Sequence, residues 1–315
     1  MALSFLRLNK LVITWAALIA STLILPMSLG QANAAENNPA VQTAPREVKG
    51  LFWKAESPKG TAYLLGAIHF GRDDFYPLRD SIMQAFESSP VLLVEMDDQK
   101  VPLPEQQKIL MSTVAYPPGD NLQQHVSRET LGLIEARLKE FGVPLESVQQ
   151  FRPGFVGIML AAMQASALGY LPEKGIDYHF MSLARGNKTI LEMESFQQQM
   201  NFISAIPEDD LTIRETFEQM DDYQTMWKEM EEAWVKGDAE RLYQVAIAEP
   251  LKESPESKPV YDVLFYQRNG PMAEKVEQCI ARYQTCFVVV GAGHFVGKDS
   301  VTDELEQRGF NIHQQ

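Results

Sequence analysis

Cysteine is nearly absent. The 315-residue chain has two, too few for a disulfide framework or a thiolate zinc cage, though one bridge can form in an oxidising compartment. Basic residues are scarce as well: Lys and Arg number 28 against 42 Asp and Glu, a formal net charge of −14. A surface that acidic repels phosphate backbones and anionic lipid, which argues against nucleic acid as a partner. No H-E-x-x-H segment occurs, so a zincin-like site is excluded. The acidic stretch around residues 207–235 lacks the ligand spacing and glycine of a calcium loop and reads as a solvated helix face. What is present is core material. The chain is 45% hydrophobic, 10% aromatic and 22% charged, the make-up of a globular protein and not of a disordered or fibrous one.

The N-terminus carries an address. Arg7 and Lys10 precede an uncharged run from Leu11 to Leu29, and Ala32-Asn33-Ala34 follows. That is a positive region, an apolar region and an A-x-A cleavage pattern. About 18 apolar residues can also span a bilayer as an uncleaved anchor, but Pro26 and the A-x-A favour cleavage after Ala34. No cysteine lies near that point to take a lipid. The expectation is a signal peptide over 1–34 and a periplasmic or secreted protein that meets the membrane only before cleavage. The mature chain of 281 residues would carry a net charge of −16. Residues 35–47, with Asn37, Asn38, Pro39 and Pro45, read as a flexible lead-in. No convincing linker follows, so 48–315 reads as one domain.

Within it, Leu51–Glu56 and Thr61–Leu65 form a candidate hairpin around Ser57-Pro58-Lys59-Gly60. Pro90–Glu95, Lys188–Glu192, Cys286–Val290 and Phe310–His313 are further strand-like runs. Helical stretches are expected over Leu78–Ser88, Arg128–Phe141, Phe155–Leu168, Lys174–Arg185 and Pro271–Tyr283. The clearest is Pro207–Val235, where Leu211, Phe217, Met220, Tyr223, Trp227, Met230 and Trp234 recur at three- and four-residue steps. This stripe reads first as core and second as the wall of a hydrophobic substrate groove. The pattern predicts an α/β protein, with α+β as the alternative: a central mixed sheet flanked by helices, with a large helical insertion between 100 and 285.

Two of the strands end in the same five-residue pattern. Gly66-Ala67-Ile68-His69-Phe70 follows the strand ending at Leu65, and Gly291-Ala292-Gly293-His294-Phe295 follows the strand ending at Val290. A glycine there lets the chain turn and swings each histidine over the strand's C-terminal edge, where α/β sheets hold ligands. Glu95 ends a third strand, and Glu192 and Glu194 follow a fourth. If these strands share direction, one rim carries two imidazoles and carboxylates, a donor set that suits zinc, manganese, iron or cobalt. Packing gives no reason for the histidine to be repeated.

Tyr63-Leu-Leu-Gly66-Ala-Ile-His69 with Phe75-Tyr76-Pro77-Leu78 resembles the TraB/GumN family, which includes TIKI-type metalloproteases. So do Val91-Leu-Leu-Val-Glu95-Met-Asp97, Lys174-Gly175-Ile176-Asp177, Glu194-Ser195 with Gln199, Arg268-Asn269 and Val288-Val-Val-Gly291-Ala-Gly-His294-Phe-Val-Gly297. The resemblance covers roughly residues 50–313, in the family's order. It implies His69, Glu95 and His294 as ligands of a divalent metal, manganese, cobalt or zinc. Glu194 would be a ligand or base, and Arg268 and Asn269 groups that orient substrate or ligands. The implied activity is metal-dependent hydrolysis of a peptide or protein substrate. The alternative is a non-catalytic peptide- or haem-binding protein on the same scaffold, a distant kinship to the erythromycin esterase and ChaN group supplying the haem.

Three further residues have two readings each. Arg152 could pair with an active-site carboxylate or be a helix-start charge, and Asp177 is expected to cap a helix rather than touch substrate. His179 could face the rim, with core or surface favoured, and His125 and His313 read as bland. Cys279 and Cys286 bracket a turn and, in an exported protein, are expected to bridge and clamp the element that presents His294.

Overall fold

The computed structural model describes residues 48–218, 220 and 223–315. The signal peptide and the lead-in expected over 1–47 lie outside them. Six strands form one mixed sheet: β1 (Leu51–Ser57), β2 (Gly60–Ala67), β3 (Val91–Val94), β4 (Thr189–Glu192), β5 (Thr285–Gly291) and β6 (Asn311–Gln314). Their order is β4-β3-β5-β2-β1-β6. The expected hairpin is β1–β2, and β1 is antiparallel to both β2 and β6. Strands β2, β5, β3 and β4 run parallel, so their C-terminal ends share one rim. Chain order reverses there: β2 pairs with β5, and β3 lies beyond it. Such a switch point leaves a crevice at the strand ends.

Both faces of the sheet are covered, and the strand sequences show why. Val91–Val94 and Cys286–Val290 are buried throughout, as strands sandwiched between helices must be. Side chains alternate, so Phe287 and its neighbours point to opposite faces. Phe287 packs on Phe86 and Phe180, from the helices Asp80–Ser88 and Ile176–Ala184. Cys286 meets Cys279 of the helix Gln267–Tyr283 on the other face, with sulfurs 2.00 Å apart. The expected pairing of the two cysteines is present.

The helical insertion differs in detail from its sequence reading. For the single helix expected over Pro207–Val235, the described residues form Asp210–Glu218 and Tyr223–Lys236. Its stripe is buried as expected, except that Leu211 is 47% exposed. Pro271 does not begin the last long helix but lies inside Gln267–Tyr283, which follows a π-helical stretch at Asp262–Tyr266. The proline therefore sits one turn in from the helix start, and Arg268 and Asn269 fall in that first turn. Leu103–Thr113 is a helix that periodicity does not reveal, since only Leu110 of it is buried. Among the described residues no helix is long and apolar enough to cross a membrane.

Candidate functional site

The parallel register sets the two repeated motifs side by side: Gly66 pairs with Val290 and Ala67 with Gly291. A side chain at Gly66 would bring its Cβ to 3.0 Å from both Cα and Cβ of Ala292. Glycine is what lets the two turns touch. Trp234 closes the turn from the opposite side, its Nε1–H donating to the Gly66 carbonyl at 2.7 Å.

His69 is 3% exposed, and its Nδ1 lies 2.9 Å from Asp177 Oδ2. Asp177 is no helix cap, contrary to the sequence expectation: Gly175 holds the N-cap position of the helix Ile176–Ala184, and Asp177 sits in its first turn. The reason is a close backbone approach. A Cβ on Gly175 would fall 2.3 Å from the His69 carbonyl oxygen, and Ile176 N–H donates to the Ile68 carbonyl at 3.0 Å. That contact delivers the Asp177 carboxylate to the imidazole.

His294, in the turn after β5, is 2% exposed and its Nδ1 lies 2.7 Å from Asn269 Oδ1. The Asn269 amide in turn donates to the Asp299 carbonyl at 2.7 Å, which fixes its oxygen toward the ring. With Asp177 and Asn269 as acceptors, each ring in its neutral form carries its proton on Nδ1 and keeps a lone pair on Nε2. The two rings differ electrostatically. Burial works against charge on His69, but Asp177 and Glu95 outweigh it and raise its pKa. Burial and then Arg268 push His294 down to about 3.

The carboxylates meet because the β3–β4 ladder continues past the strands: Met193 N–H donates to the Val94 carbonyl at 2.9 Å, and Glu194 N–H to the Glu95 carbonyl at 3.0 Å. Both side chains turn inward onto Arg268, itself 2% exposed. Arg268 Nε donates to Glu194 Oε1 at 2.8 Å, Nη2 to Glu194 Oε2 at 2.6 Å and to Glu95 Oε1, and Nη1 to the Leu264 carbonyl at 2.8 Å. Gln199 Nε2 donates to Glu95 Oε1 at 3.0 Å, and Gly291 N–H to Glu95 Oε2 at 3.1 Å. A capping box between Ser195 and Gln198 sets the start of the helix Phe196–Ser204 and hence the reach of Gln199. Burial works to raise the Glu95 pKa, yet Arg268, both histidines and the Gly291 N–H bring it down to about 2. Glu194 goes the other way: its burial outweighs the same arginine, and its pKa is raised.

The six residues singled out in the sequence, His69, Glu95, Glu194, Arg268, Asn269 and His294, thus share one buried rim. Glu192 stays outside, half-buried near the Asp97 N–H and Lys100. Arg152 does not reach the rim carboxylates and pairs with Glu208 at 3.0 Å. His179 lies tilted against Tyr76, and His125 stacks on Tyr116 beside Asp120. Sequence reasoning missed the role of Asp177, for which the preceding glycine was the available signal, and the contact of Gln199.

The histidines fit a metal ion. Metal-binding imidazoles almost always have the second ring nitrogen tied to an acceptor, as both do here, and His69 Nε2 is buried with no hydrogen-bond partner. The glutamates are engaged elsewhere. Among the described residues no three His, Cys, Asp or Glu side chains are gathered as a metal cage, because Arg268 draws both carboxylates to itself. Two carboxylate oxygens accept one hydrogen bond each and keep a second lone pair, Glu95 Oε2 from Gly291 N–H and Glu194 Oε1 from Arg268 Nε.

Comparison with known proteins agrees with the motif pattern. The family model described as the TraB/PrgY/gumN family matches residues 51–314. An uncharacterized protein, YbaP, of Shigella flexneri is 25% identical over 254 residues, covering 78% of this chain and 87% of its own. YbaP of Escherichia coli K12 is 25% identical over 253 residues, covering 77% and 87%. An uncharacterized protein of Treponema pallidum is 21% identical over 272 residues, covering 82% and 80%. No solved structure matches the chain significantly.

Proposed function

The chain belongs to the TraB/PrgY/gumN family, and on the geometry of its buried rim we propose that it is an exported hydrolase of peptide or protein substrates, dependent on a divalent manganese, cobalt or zinc ion. The observation that supports this reading is the pair of buried imidazoles. Each has Nδ1 tied to a side-chain acceptor, and both rings help to hold Glu95 ionised.

His69 and His294 would hold the ion through Nε2, with Glu95 as the carboxylate beside them. A divalent ion there supplies polarisation of the scissile carbonyl and a water acidic enough to lose its proton near neutral pH. Asp177 and Asn269 keep the two rings in the ligating tautomer. Glu194, whose pKa burial has raised, takes the proton from water and returns it to the departing amine nitrogen. Arg268 holds both carboxylates in register and keeps Glu95 ionised. The signal peptide supplies the exported location, periplasmic or secreted.

The test is the metal content of the purified protein beside its His69→Ala and His294→Ala variants, with a peptide-hydrolysis screen. One ion per chain in the wild type, lost in both variants together with turnover, is the expected result. No bound ion after anaerobic reconstitution with each metal would refute the proposal and leave a peptide- or haem-binding protein on this scaffold.

A further inference from the structure

The helix Phe196–Ser204 carries a polar side chain where its own pattern calls for an apolar one. Phe196, Met200 and Ile203 are its buried apolar positions, and Gln199, 6% exposed, shares their face. Burying an amide costs free energy unless its groups find partners. The Gln199 Nε2 group has two N–H donors, and both acceptors are site carboxylates: Glu95 Oε1 at 3.0 Å and Glu194 Oε2 at 3.4 Å. Arg268 Nη2 donates to the same two oxygens, so an amide and a guanidinium bridge them in a closed ring of four hydrogen bonds.

The bond count decides what each glutamate has left. Glu95 Oε1 and Glu194 Oε2 accept two hydrogen bonds each, which occupies both of their lone pairs. Glu95 Oε2 and Glu194 Oε1 accept one each, from Gly291 N–H and Arg268 Nε. Arg268 alone does not achieve this. Its fork of Nε and Nη2 grips Glu194 at both oxygens but reaches Glu95 at Oε1 only. Charge matters as well. One guanidinium facing two ionised carboxylates leaves net negative charge for a cation, and an amide adds hydrogen bonds without cancelling it, as a lysine would. From this closed ring we infer that Gln199 is a positioning residue: it saturates the inner oxygens of Glu95 and Glu194, so that Glu95 offers a divalent ion the single oxygen Oε2 while Glu194 keeps Oε1 for a proton. The inference rests on the metal-dependent hydrolase reading above for what those two oxygens meet.

The experiment reads metal binding and not turnover. Gln199→Met keeps the length and burial of the side chain and removes both donors. Gln199→Asn keeps the amide but withdraws it by one methylene from its 3.0 Å contact with Glu95, and it carries the test if the Met variant fails to fold. Manganese and zinc affinity, by isothermal titration, should fall about 10–100-fold in both, the usual cost of losing a group that orients a metal ligand. In a Glu95→Gln background the same Gln199 substitution should weaken binding by less than about threefold more, because the carboxylate it positions is gone. The d–d absorption bands of the cobalt(II)-loaded protein should also shift in the Gln199 variants, since Glu95 Oε1 then has a lone pair free to join the ion. Unchanged affinity and unchanged bands in a folded variant overturn the positioning role and leave the hydrolase reading standing. An equal loss with and without the Glu95 carboxylate overturns it too, since Gln199 would then act through the fold alone. A wild-type protein that takes up none of the three ions overturns both readings together.

Discussion

Arg268 is the residue whose loss tests the whole construction. One guanidinium, 2% exposed, balances two carboxylates that are 6% and 7% exposed. Replacing it by Met keeps most of the volume and leaves Glu95 and Glu194 as unpaired buried charges. Breaking a buried ion pair from one side costs about 3–5 kcal/mol. For a chain of this length each kcal/mol moves Tm by about 2–4 °C, so Arg268→Met should lower it by roughly 6–20 °C at pH 7. The pH dependence is the sharper readout. In the wild type Glu95 is held at about 2, below its ordinary 4.5, so its contribution is present above the unfolded pKa and is lost as pH falls through 2. Without Arg268, burial dominates and both folded-state pKa values rise above the unfolded ones. The variant should then regain stability relative to wild type as pH falls through those raised values. Arg268→Met/Glu194→Gln, with one carboxylate fewer to neutralise, should recover part of the loss at pH 7. The assay is thermal and urea unfolding of chelator-treated protein between pH 4 and 8. A Tm within 2 °C of wild type at pH 7, with no pH-dependent gap, would refute the assignment of Arg268 as the counter-charge of both glutamates.

Asp177→Asn should keep the fold and weaken metal binding about 10–100-fold, the usual cost of losing the group behind a ligating histidine; isothermal titration with manganese and zinc reads it, and unchanged affinity would count against His69 as a ligand. Gly66→Ala drives a methyl to 3.0 Å from the Ala292 backbone and should cost about 1–3 kcal/mol by overpacking, seen in urea unfolding as a lower midpoint with an unchanged slope. Trp234→Phe leaves the Gly66 carbonyl without its 2.7 Å donor and should cost about 1–3 kcal/mol beyond the lost area, since the acceptor stays buried. Cys279→Ser/Cys286→Ser opens a loop of sequence separation 7, for which the chain-entropy account predicts a loss of about 2–3 kcal/mol; a melting point that reductant lowers in wild type but not in the variant confirms it.

Strand positions were legible because β-rich runs such as Val91–Val94 and Cys286–Val290 are buried on both faces and carry little else. The repeated G-A-x-H-F pattern exposed His69 and His294 without any structure, since repetition is a signal that survives ignorance of strand order. By contrast, Leu103–Thr113 hides its helix, because a segment that buries one residue leaves no apolar stripe to read. Asp177 reads as a cap for a helix starting near Tyr178, whereas the helix starts at Ile176 and takes Asp177 into its first turn. Only the contact between Gly175 and the His69 carbonyl turns it to the imidazole, and that contact joins segments more than a hundred residues apart. Arg152 could not be told apart from Arg268 as a partner of the rim carboxylates. One reaches Glu208, and the other lies after a π-helical stretch that shifts helical phase. From its residues alone, the chain marked six candidate site side chains, four of which follow strands. The tertiary structure decided that those strands run parallel and adjacent, and that both glutamates turn onto one arginine. Sequence distance says nothing of such pairings: they depend on register and on close approaches permitted by single glycines, which are settled only when the whole core packs.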